Sequence, residues 1–279
     1  MQIQITAEWR ARNAEKICRN AVYSPDAGVA YCGRLLERRM GGMWNNEVNI
    51  TVMNWLSQFT AMSAPFNQIV HYVAGSNLFK GFPVMGLIWY FWFRDTDPKS
   101  GTRRIIIATL LGCVIAVFIA RVANNLGPYQ PRPFANPALA HHVFIGLPAP
   151  ESQALYIWSS FPSDHAALFF SLATGIFLIS RTAGLLTYLY VLIFIALPRV
   201  YLGLHYPTDI FAGGVLGIIC VAFSTRAHVT RLFEGHCTTL MDRYPAAFQT
   251  ALFIISTEIG VMFGDVRLLV EGIVKYFPK

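Results

Sequence analysis

The chain has 279 residues and a mass of 31.2 kDa, enough for two ordinary soluble domains, but its composition excludes that arrangement. Hydrophobic residues make up 54% of the chain and charged residues only 13%, against roughly 25% charged residues in a soluble domain. The mean hydropathy is +0.45, and the apolar residues are gathered into runs. We therefore expect a polytopic membrane protein rather than a disordered tail, a disulfide-stapled miniprotein or a nucleic-acid binder.

The net charge of +7 and the pI near 9.3 are typical of the cytoplasmic loops of a membrane protein. The polar N-terminal stretch does not have the pattern of a cleavable signal peptide. The cysteines have no metal-ligand spacing, so we expect buried or unreactive thiols. They are Cys18, Cys32, Cys113, Cys220 and Cys237.

Six apolar segments are candidates to cross a bilayer, which takes about 20 residues. They cover residues 48–74, 78–93, 105–124, 166–180, 184–204 and 209–223. A seventh apolar segment, 246–263, carries Glu258 and could be interfacial, re-entrant or spanning. The expected fold is all-α: a polytopic membrane bundle of six core helices, with an extra C-terminal apolar helix left open. We divide the chain into a charged cytoplasmic segment (1–47), a six-span domain (48–228) and a C-terminal segment (229–279).

Lysine and arginine are concentrated in residues 1–47, in the loop after the second segment and in the region after the sixth. Because cytoplasmic loops carry an excess of these residues, this asymmetry places the N-terminus in the cytoplasm. The ends of the third and fifth segments then face away from the cytoplasm. That outer side receives Lys80, Arg121, Arg132 and Arg199.

Two polar segments lie on the outer face. One follows the third apolar segment, and the other opens the fourth. Ionisable residues near a membrane tend to mark function. Prolines on both sides of Arg132 restrict its backbone, so its side chain is held in place. The second polar segment, Pro-Ser-Asp-His at 162–165, begins a helix. Its free backbone N–H groups carry a partial positive charge and form a site for an anion.

A third polar segment on the same face contains Arg199, His205 and Asp209. Asp209 follows His205 by four residues, so on a helix the two side chains share one face and the carboxylate can hold the imidazole tautomer. Two arginines and a helix start suit a phosphate group. Two histidines offer a nucleophile and an acid, as phosphoryl transfer through a covalent intermediate requires.

In this order, the three segments resemble the motifs of the type 2 phosphatidic acid phosphatase superfamily of integral membrane lipid phosphatases. The family pattern is Lys, six residues, Arg-Pro; then Pro-Ser-Gly-His; then Ser-Arg, five residues, His, three residues, Asp. The resemblance covers about residues 50–225, and the ordered set of motifs is highly specific. The matching positions are Arg132-Pro133, Pro162-Ser163-Asp164-His165, Pro198-Arg199, His205 and Asp209.

The resemblance implies a role for each matched residue. His205 would be the nucleophile that forms a phosphohistidine, Asp209 would orient and polarise it, and His165 would protonate the leaving oxygen and then activate water. The phosphate oxygens would be held by Arg132, Arg199, the Ser163 hydroxyl and backbone N–H groups that include that of Asp164. No metal or other cofactor is implied, because the arginines and the helix dipole supply the positive charge.

The sequence departs from the family pattern at three positions. Asp164 replaces a glycine that contributes mainly a backbone N–H, and Pro198 replaces a serine; both look tolerable. Asn125 stands where the family has lysine, and losing that charge would cost about 1.5–3 kcal/mol without compensation. Arg121, one helical turn earlier, is the candidate replacement, and Gln130 is a weaker one.

The implied function is hydrolysis of a phosphomonoester or pyrophosphate on an amphiphilic lipid, with a polyprenyl (undecaprenyl) pyrophosphate or phosphate carrier favoured. The expected location is a bacterial inner membrane, with the site extracytoplasmic. The expected partners are the bilayer and the lipid phosphate, not nucleic acid, and the oligomeric state stays open. The alternatives are a phosphotransferase with a lipid or sugar acceptor, a phosphatase for phosphatidic acid or phosphatidylglycerophosphate, and a non-catalytic binder or transporter of lipid phosphates.

Overall fold

The computed structural model describes residues 46–95, 101–136, 139, 158–266, 269 and 273. Every regular element in these residues is helical, and none of them forms a strand. The all-α prediction is therefore confirmed for the described part of the chain. The predicted N-terminal segment lies outside the described residues, except for its last two positions.

The helices are numbered α1 to α9 in chain order, and a short 3₁₀ turn (Pro133–Ala135) lies between α4 and α5. In α6, a π-helical stretch at Val191–Ala196 interrupts the α-helical hydrogen bonding. The helices are α1 (Glu47–Thr60), α2 (Ala64–Gly75), α3 (Asn77–Arg94), α4 (Thr102–Leu126), α5 (Asp164–Ile179), α6 (Arg181–Tyr201), α7 (Pro207–Ser224), α8 (Ala227–Arg243) and α9 (Pro245–Gly260).

The prediction of one helix over residues 48–74 is wrong, because the structure has two helices, α1 and α2, in this segment. Ser63 caps the start of α2, where its hydroxyl accepts a hydrogen bond from the Phe66 N–H at 3.3 Å, and a proline lies in the first turn. A serine cap and a proline together favour a new helix start over continuation of the preceding helix. The Asn67 side chain of α2 is buried and accepts a hydrogen bond from the Tyr201 hydroxyl of α6 at 2.5 Å.

Three helices of the described chain, α4, α6 and α7, are long and apolar enough to cross a membrane. The other predicted spans are not confirmed as such. Helices α3 and α5 form where they were predicted, but α5 has only 16 residues and α3 is less hydrophobic than α4, α6 and α7. The coarser prediction, an integral membrane protein built from apolar helices, is confirmed.

The seventh apolar segment forms α9, which has 16 residues and packs against α3. The indole N–H of Trp89 in α3 donates a hydrogen bond to the Ser256 hydroxyl of α9 at 3.0 Å. The carboxylate of Glu258 accepts a hydrogen bond from the backbone N–H of Val266 at 3.4 Å. The C-terminal region is thus docked onto the helical bundle through α3.

Helix α5 lies at the centre of the bundle, in contact with α4, α6 and α7. Helices α5 and α7 approach each other closely at two glycines of α7. A Cβ atom at Gly217 would collide with the carbonyl oxygen of Ala167 and with Ser171, and one at Gly213 would collide with the carbonyl oxygen of Ser163. Small residues at helix interfaces allow such close contact in membrane proteins. The contact places the first turns of α5 and α7 side by side.

We expect Gly217→Ala to lower the free energy of unfolding by about 1–3 kcal/mol, because the added methyl group overpacks the α5–α7 contact. Thermal unfolding of the purified protein in detergent measures this change. Gly235→Ala in α8 is the control, because a Cβ atom there has no neighbour within 4 Å. The control should unfold at the wild-type temperature or slightly above it, since alanine favours a helix by up to about 1 kcal/mol over glycine. An unchanged unfolding temperature in Gly217→Ala would contradict the close contact.

Candidate active site

The three polar segments that the sequence singled out come together at one end of the bundle. The backbone N–H of Ser163, at the start of α5, donates a hydrogen bond to the carbonyl oxygen of Asp209 in α7 at 3.1 Å. The N–H of Phe134, just after Arg132, donates to the carbonyl oxygen of Gly203, just before His205, at 3.1 Å. Backbone hydrogen bonds therefore join the segments independently of the side chains to which the sequence analysis assigned catalytic roles.

His205 lies in the connection between α6 and α7 and is almost completely buried. Its Nδ1 atom is 2.9 Å from the carbonyl oxygen of Ser160. Because a carbonyl can only accept a hydrogen bond, Nδ1 carries the proton, and the lone pair of the neutral ring is on Nε2. Nε2 faces the Nη1 atom of Arg132 at 3.3 Å. The imidazole thus presents its nucleophilic nitrogen to a guanidinium group.

Asp209 does not make the hydrogen bond to His205 that its spacing suggested. Its Oδ2 atom is 3.7 Å from Nδ1 and instead accepts a hydrogen bond from the backbone N–H of Tyr206 at 2.8 Å, which caps the start of α7. The Ser160 carbonyl therefore fixes the tautomer of His205. The Asp209 carboxylate remains close enough to stabilise a positive charge on the ring.

The surroundings of His205 keep its imidazole neutral. Burial lowers the pKa of His205 from its ordinary value of 6.5, and the nearby Arg132 guanidinium lowers it further, whereas the Asp209 carboxylate opposes this change. A neutral imidazole is the form that can act as a nucleophile.

Arg132 and Arg199 are both buried at this end of the bundle. Nη1 of Arg132 donates a hydrogen bond to the carbonyl oxygen of Leu204 at 2.7 Å, which fixes the guanidinium beside His205. Its Nε atom has no hydrogen-bond partner among the residues the structure describes. Arg199, in the last turn of α6, is within electrostatic range of Arg132 and of Asp164. Two buried guanidinium groups with spare donors suit a phosphate group.

His165 and Asp164 form a second pair of side chains in the first turn of α5. Oδ1 of Asp164 is 2.9 Å from Nδ1 of His165 and also accepts a hydrogen bond from the His165 backbone N–H at 2.9 Å. The carboxylate therefore orients the imidazole and leaves its Nε2 atom available. The Ser163 hydroxyl accepts a hydrogen bond from the Ala166 N–H at 3.4 Å, so it caps α5. At the position where the family motif has glycine, this chain thus has a carboxylate that contacts His165.

Arg121, the main candidate to replace the missing lysine charge, and Asn125, which occupies the lysine position, make different contacts. Nε of Arg121 is 3.8 Å from Oδ2 of Asp164, and its Nη2 atom donates a hydrogen bond to the carbonyl oxygen of Met262 at 3.3 Å. The Asn125 side chain is exposed, and its amide donates to the carbonyl oxygen of Arg121 at 2.8 Å. Arg121 therefore reaches the site through Asp164, whereas Asn125 contacts its own helix.

Sequence reasoning gave no role to several residues that the structure places around the site. Lys80 of α3 is buried, with Arg199 and Asp164 in electrostatic range. The Asn49 side chain of α1 makes two hydrogen bonds to Thr208, next to Asp209: Asn49 Nδ2 donates to the Thr208 hydroxyl at 2.9 Å, and Asn49 Oδ1 accepts from the Thr208 N–H at 3.3 Å. For Lys80, the sequence offered one signal, a lysine inside an apolar segment. For the contact of Asn49 with Thr208, the sequence offered no signal.

Gln130 and Ser160 are buried beside the same segments. The backbone N–H of Ser160 donates a hydrogen bond to the carbonyl oxygen of Gln130 at 2.9 Å. The Gln130 side-chain amide and the Ser160 hydroxyl have no hydrogen-bond partner within the described ranges. Buried polar groups are normally paired, so these groups add unused donors and acceptors to the site.

Comparisons with known proteins find a family that matches the part of the chain carrying these residues. Residues 126–233 match the PAP2 superfamily, a range that includes Arg132, residues 162–165, Arg199, His205 and Asp209. This part of the chain is therefore similar to the type 2 phosphatidic acid phosphatases. No solved structure matches the chain.

Three proteins from bacteria are similar to the chain in sequence. The bacitracin transport permease protein BcrC of Bacillus licheniformis is 26% identical over 178 residues, which is 64% of this chain and 79% of that protein. The putative undecaprenyl-diphosphatase YbjG of Escherichia coli (strain K12) is 24% identical, over 57% of this chain and 73% of its own length. The lipid A 1-diphosphate synthase of the same organism is 30% identical, over 48% of this chain and 56% of its own length.

Proposed function

We propose that the protein hydrolyses a phosphate ester or diphosphate on an amphiphilic lipid, through a phosphohistidine formed on His205. The observation that carries this proposal is the position of the His205 Nε2 atom, which has the lone pair and lies 3.3 Å from Nη1 of Arg132. A phosphoryl group held by the guanidinium would lie against the nucleophilic nitrogen. Such positioning is the main requirement for phosphoryl transfer.

In the first step, Nε2 of His205 forms a bond to phosphorus while the bond from phosphorus to the leaving oxygen breaks. A protonated His165 gives its proton to that oxygen, which belongs to the lipid alcohol or, in a diphosphate, to the inner phosphate. The phosphorylated ring of His205 becomes positively charged, and the Asp209 carboxylate 3.7 Å from Nδ1 stabilises it.

In the second step, a water molecule attacks the phosphorus atom, and the bond to Nε2 of His205 breaks. His165, now neutral, takes a proton from that water, so inorganic phosphate leaves and both histidines regain their starting states. Burial and the nearby Arg199 guanidinium lower the pKa of His165 to about 3, whereas the Asp164 carboxylate, 2.9 Å from Nδ1, opposes this change. The bound anionic phosphate would therefore have to raise the pKa of His165 for the ring to carry its proton at the start of the cycle. Arg132 and Arg199 would hold the phosphate oxygens, so no step requires a metal ion.

We propose a polyprenyl (undecaprenyl) pyrophosphate or phosphate as the substrate. This choice rests on the family, on the name of the YbjG relative as an undecaprenyl-diphosphatase, and on the apolar helices that enclose the site. The cytoplasmic N-terminus and the extracytoplasmic site in a bacterial inner membrane are parts of the same proposal. They are supported by the distribution of lysine and arginine along the chain.

Phosphate release by the purified protein tests the reaction. We expect release from undecaprenyl pyrophosphate or undecaprenyl phosphate in the presence of EDTA, with slower release from phosphatidic acid and phosphatidylglycerophosphate. His205→Ala should lower the rate by about 10³-fold or more, because it removes the nucleophile. His228→Ala, which truncates an exposed histidine of α8, is the matched control and should keep the wild-type rate. Wild-type activity in His205→Ala would overturn the mechanism.

The pH dependence tests the state of the nucleophile. The lowered pKa of His205 means that the neutral imidazole persists as the pH falls below the ordinary value of 6.5. We therefore expect the acidic limb of kcat/KM to lie below pH 6.5, and activity to fall only where the free enzyme's His205 takes up a proton. A pH profile of kcat/KM measures this limb. An acidic limb above pH 6.5 that is assigned to His205 would contradict the proposed environment.

A phosphotransferase is the second candidate, because one relative is named as a synthase of a lipid A diphosphate rather than as a phosphatase. The two functions share the phosphohistidine and differ in what attacks it. We expect water to be the acceptor here, so that adding lipid A or another lipid phosphate leaves the yield of inorganic phosphate unchanged. Mass spectrometry of the lipids would detect a newly phosphorylated acceptor, and its formation at the expense of free phosphate would favour the transferase.

A further inference from the structure

One buried cation near the site has no role in the mechanism above. Lys80 lies in the first turn of α3, only 8% of the residue is exposed, and no described residue forms a hydrogen bond or ion pair with its ammonium group. Lysine is almost never buried unless an anion or a hydrogen-bond acceptor neutralises it. Lys80 therefore calls for an anionic partner, and the described residues supply none in direct contact.

The backbone beside Lys80 is fixed against the helix that carries Arg199. The carbonyl oxygen of Phe79 accepts a hydrogen bond from the Tyr190 hydroxyl of α6 at 2.6 Å. This contact joins the first turn of α3 to α6, which ends in Arg199 and Tyr201. Gly81, next to Lys80, lies against the backbone of Gly260 at the end of α9. Met262, two residues later, accepts a hydrogen bond from Arg121 at 3.3 Å, and Arg121 is 3.8 Å from Asp164. The packing of α3 against α6 and α9 thus places Lys80 on the side of the site formed by Arg121 and Asp164.

The charges around Lys80 favour a missing anion. Arg199, a like charge, and the Asp164 carboxylate are within electrostatic range of Lys80. Asp164 already contacts His165 at 2.9 Å and Arg121 at 3.8 Å, so its charge is shared with closer partners. Lys80 and Arg199, together with Arg132, leave an excess of buried positive charge. A bound phosphate would neutralise this excess.

We propose that Lys80 is a phosphate-binding residue, which supplies from α3 the positive charge that Asn125 does not supply from α4. The inference rests on the proposed phosphatase function and assigns to that site a residue outside the three motifs. A lysine ammonium is a compact charge on a flexible stem, which allows it to reach a phosphate from a neighbouring helix. The Asn125 amide is exposed and donates a hydrogen bond to the carbonyl oxygen of Arg121, which is consistent with a positive charge supplied from α3 instead of α4.

The test compares Lys80→Met with wild type, because methionine keeps much of the length and removes the charge. We expect kcat/KM for phosphate release to fall about ten- to a hundredfold, the effect of losing one charge-assisted hydrogen bond. Inhibition by vanadate, a phosphate analogue, should weaken by a similar factor. The ligand-free variant should unfold at the wild-type temperature or higher, since it no longer buries an unpaired charge. Lys80→Arg should retain more activity than Lys80→Met.

The matched control is Arg94→Gln, which removes one positive charge from the exposed opposite end of α3. It should leave kcat/KM and vanadate inhibition unchanged. If Lys80→Met also leaves both unchanged while His205→Ala is inactive, the role of Lys80 is refuted and the phosphatase function stands. If wild type releases no phosphate from any of the lipids, the proposed function itself fails.

A double-mutant cycle with Asp164→Asn tests whether Lys80 binds phosphate or only balances the charge of that carboxylate. If Lys80 binds phosphate, Lys80→Met should weaken vanadate inhibition by the same factor in the wild-type and Asp164→Asn backgrounds. If Lys80 acts only through Asp164, the effect of Lys80→Met should vanish in the Asp164→Asn background. The second result would overturn the proposal even if Lys80→Met alone had lost activity.

Discussion

The close contact between α5 and α7 is the constraint on which the site depends. Gly213 and Gly217 allow the two backbones to approach so closely that Ser163 bonds to the carbonyl oxygen of Asp209. The same contact aligns the start of α5, which carries His165, with the start of α7, which follows His205. His165 and Asp209 lie in the first turns of helices, and His205 lies in the short connection just before α7, so helix packing sets their positions. The geometry of the site is thus a property of the bundle.

The second organising feature is buried positive charge. Arg132, Arg199 and Lys80 are buried, and Arg199 is within electrostatic range of the other two. The Nε atom of Arg132 has no hydrogen-bond partner among the described residues. Such a group of cations destabilises the empty protein, because like charges repel and burial removes their hydration. The arrangement is useful if it is complementary to a doubly charged phosphate and to the transition state that develops from it. The buried cations would therefore lower the stability of the empty protein and favour the binding of a phosphate.

The sequence predicted the helical class, most helix positions and the meeting of the polar segments, because apolar runs and motif order are local signals. It failed at the break between α1 and α2, where the cap at Ser63 starts a new helix inside a segment that was predicted as one span. It also gave the orienting hydrogen bond of His205 to Asp209, whereas a backbone carbonyl of Ser160 makes it. Every residue has a backbone carbonyl, so a motif of side chains does not indicate which carbonyl accepts the hydrogen bond. Lys80 and Asn49 reach the site through tertiary packing, which spacing along the chain cannot show.

The departures from the family motif are best understood together. Asp164 brings a negative charge into the first turn of α5, and Arg121, one turn before Asn125, lies 3.8 Å from it. The cation nearest to the motif lysine position therefore balances a carboxylate that the family pattern lacks. With Arg121 engaged in this way and Asn125 uncharged, the positive charge for the phosphate has to come from elsewhere, and Lys80 is the buried cation on a neighbouring helix. In this view, Arg121 offsets the carboxylate that orients His165, and Lys80 supplies from α3 the positive charge that the proposed phosphate ligand requires.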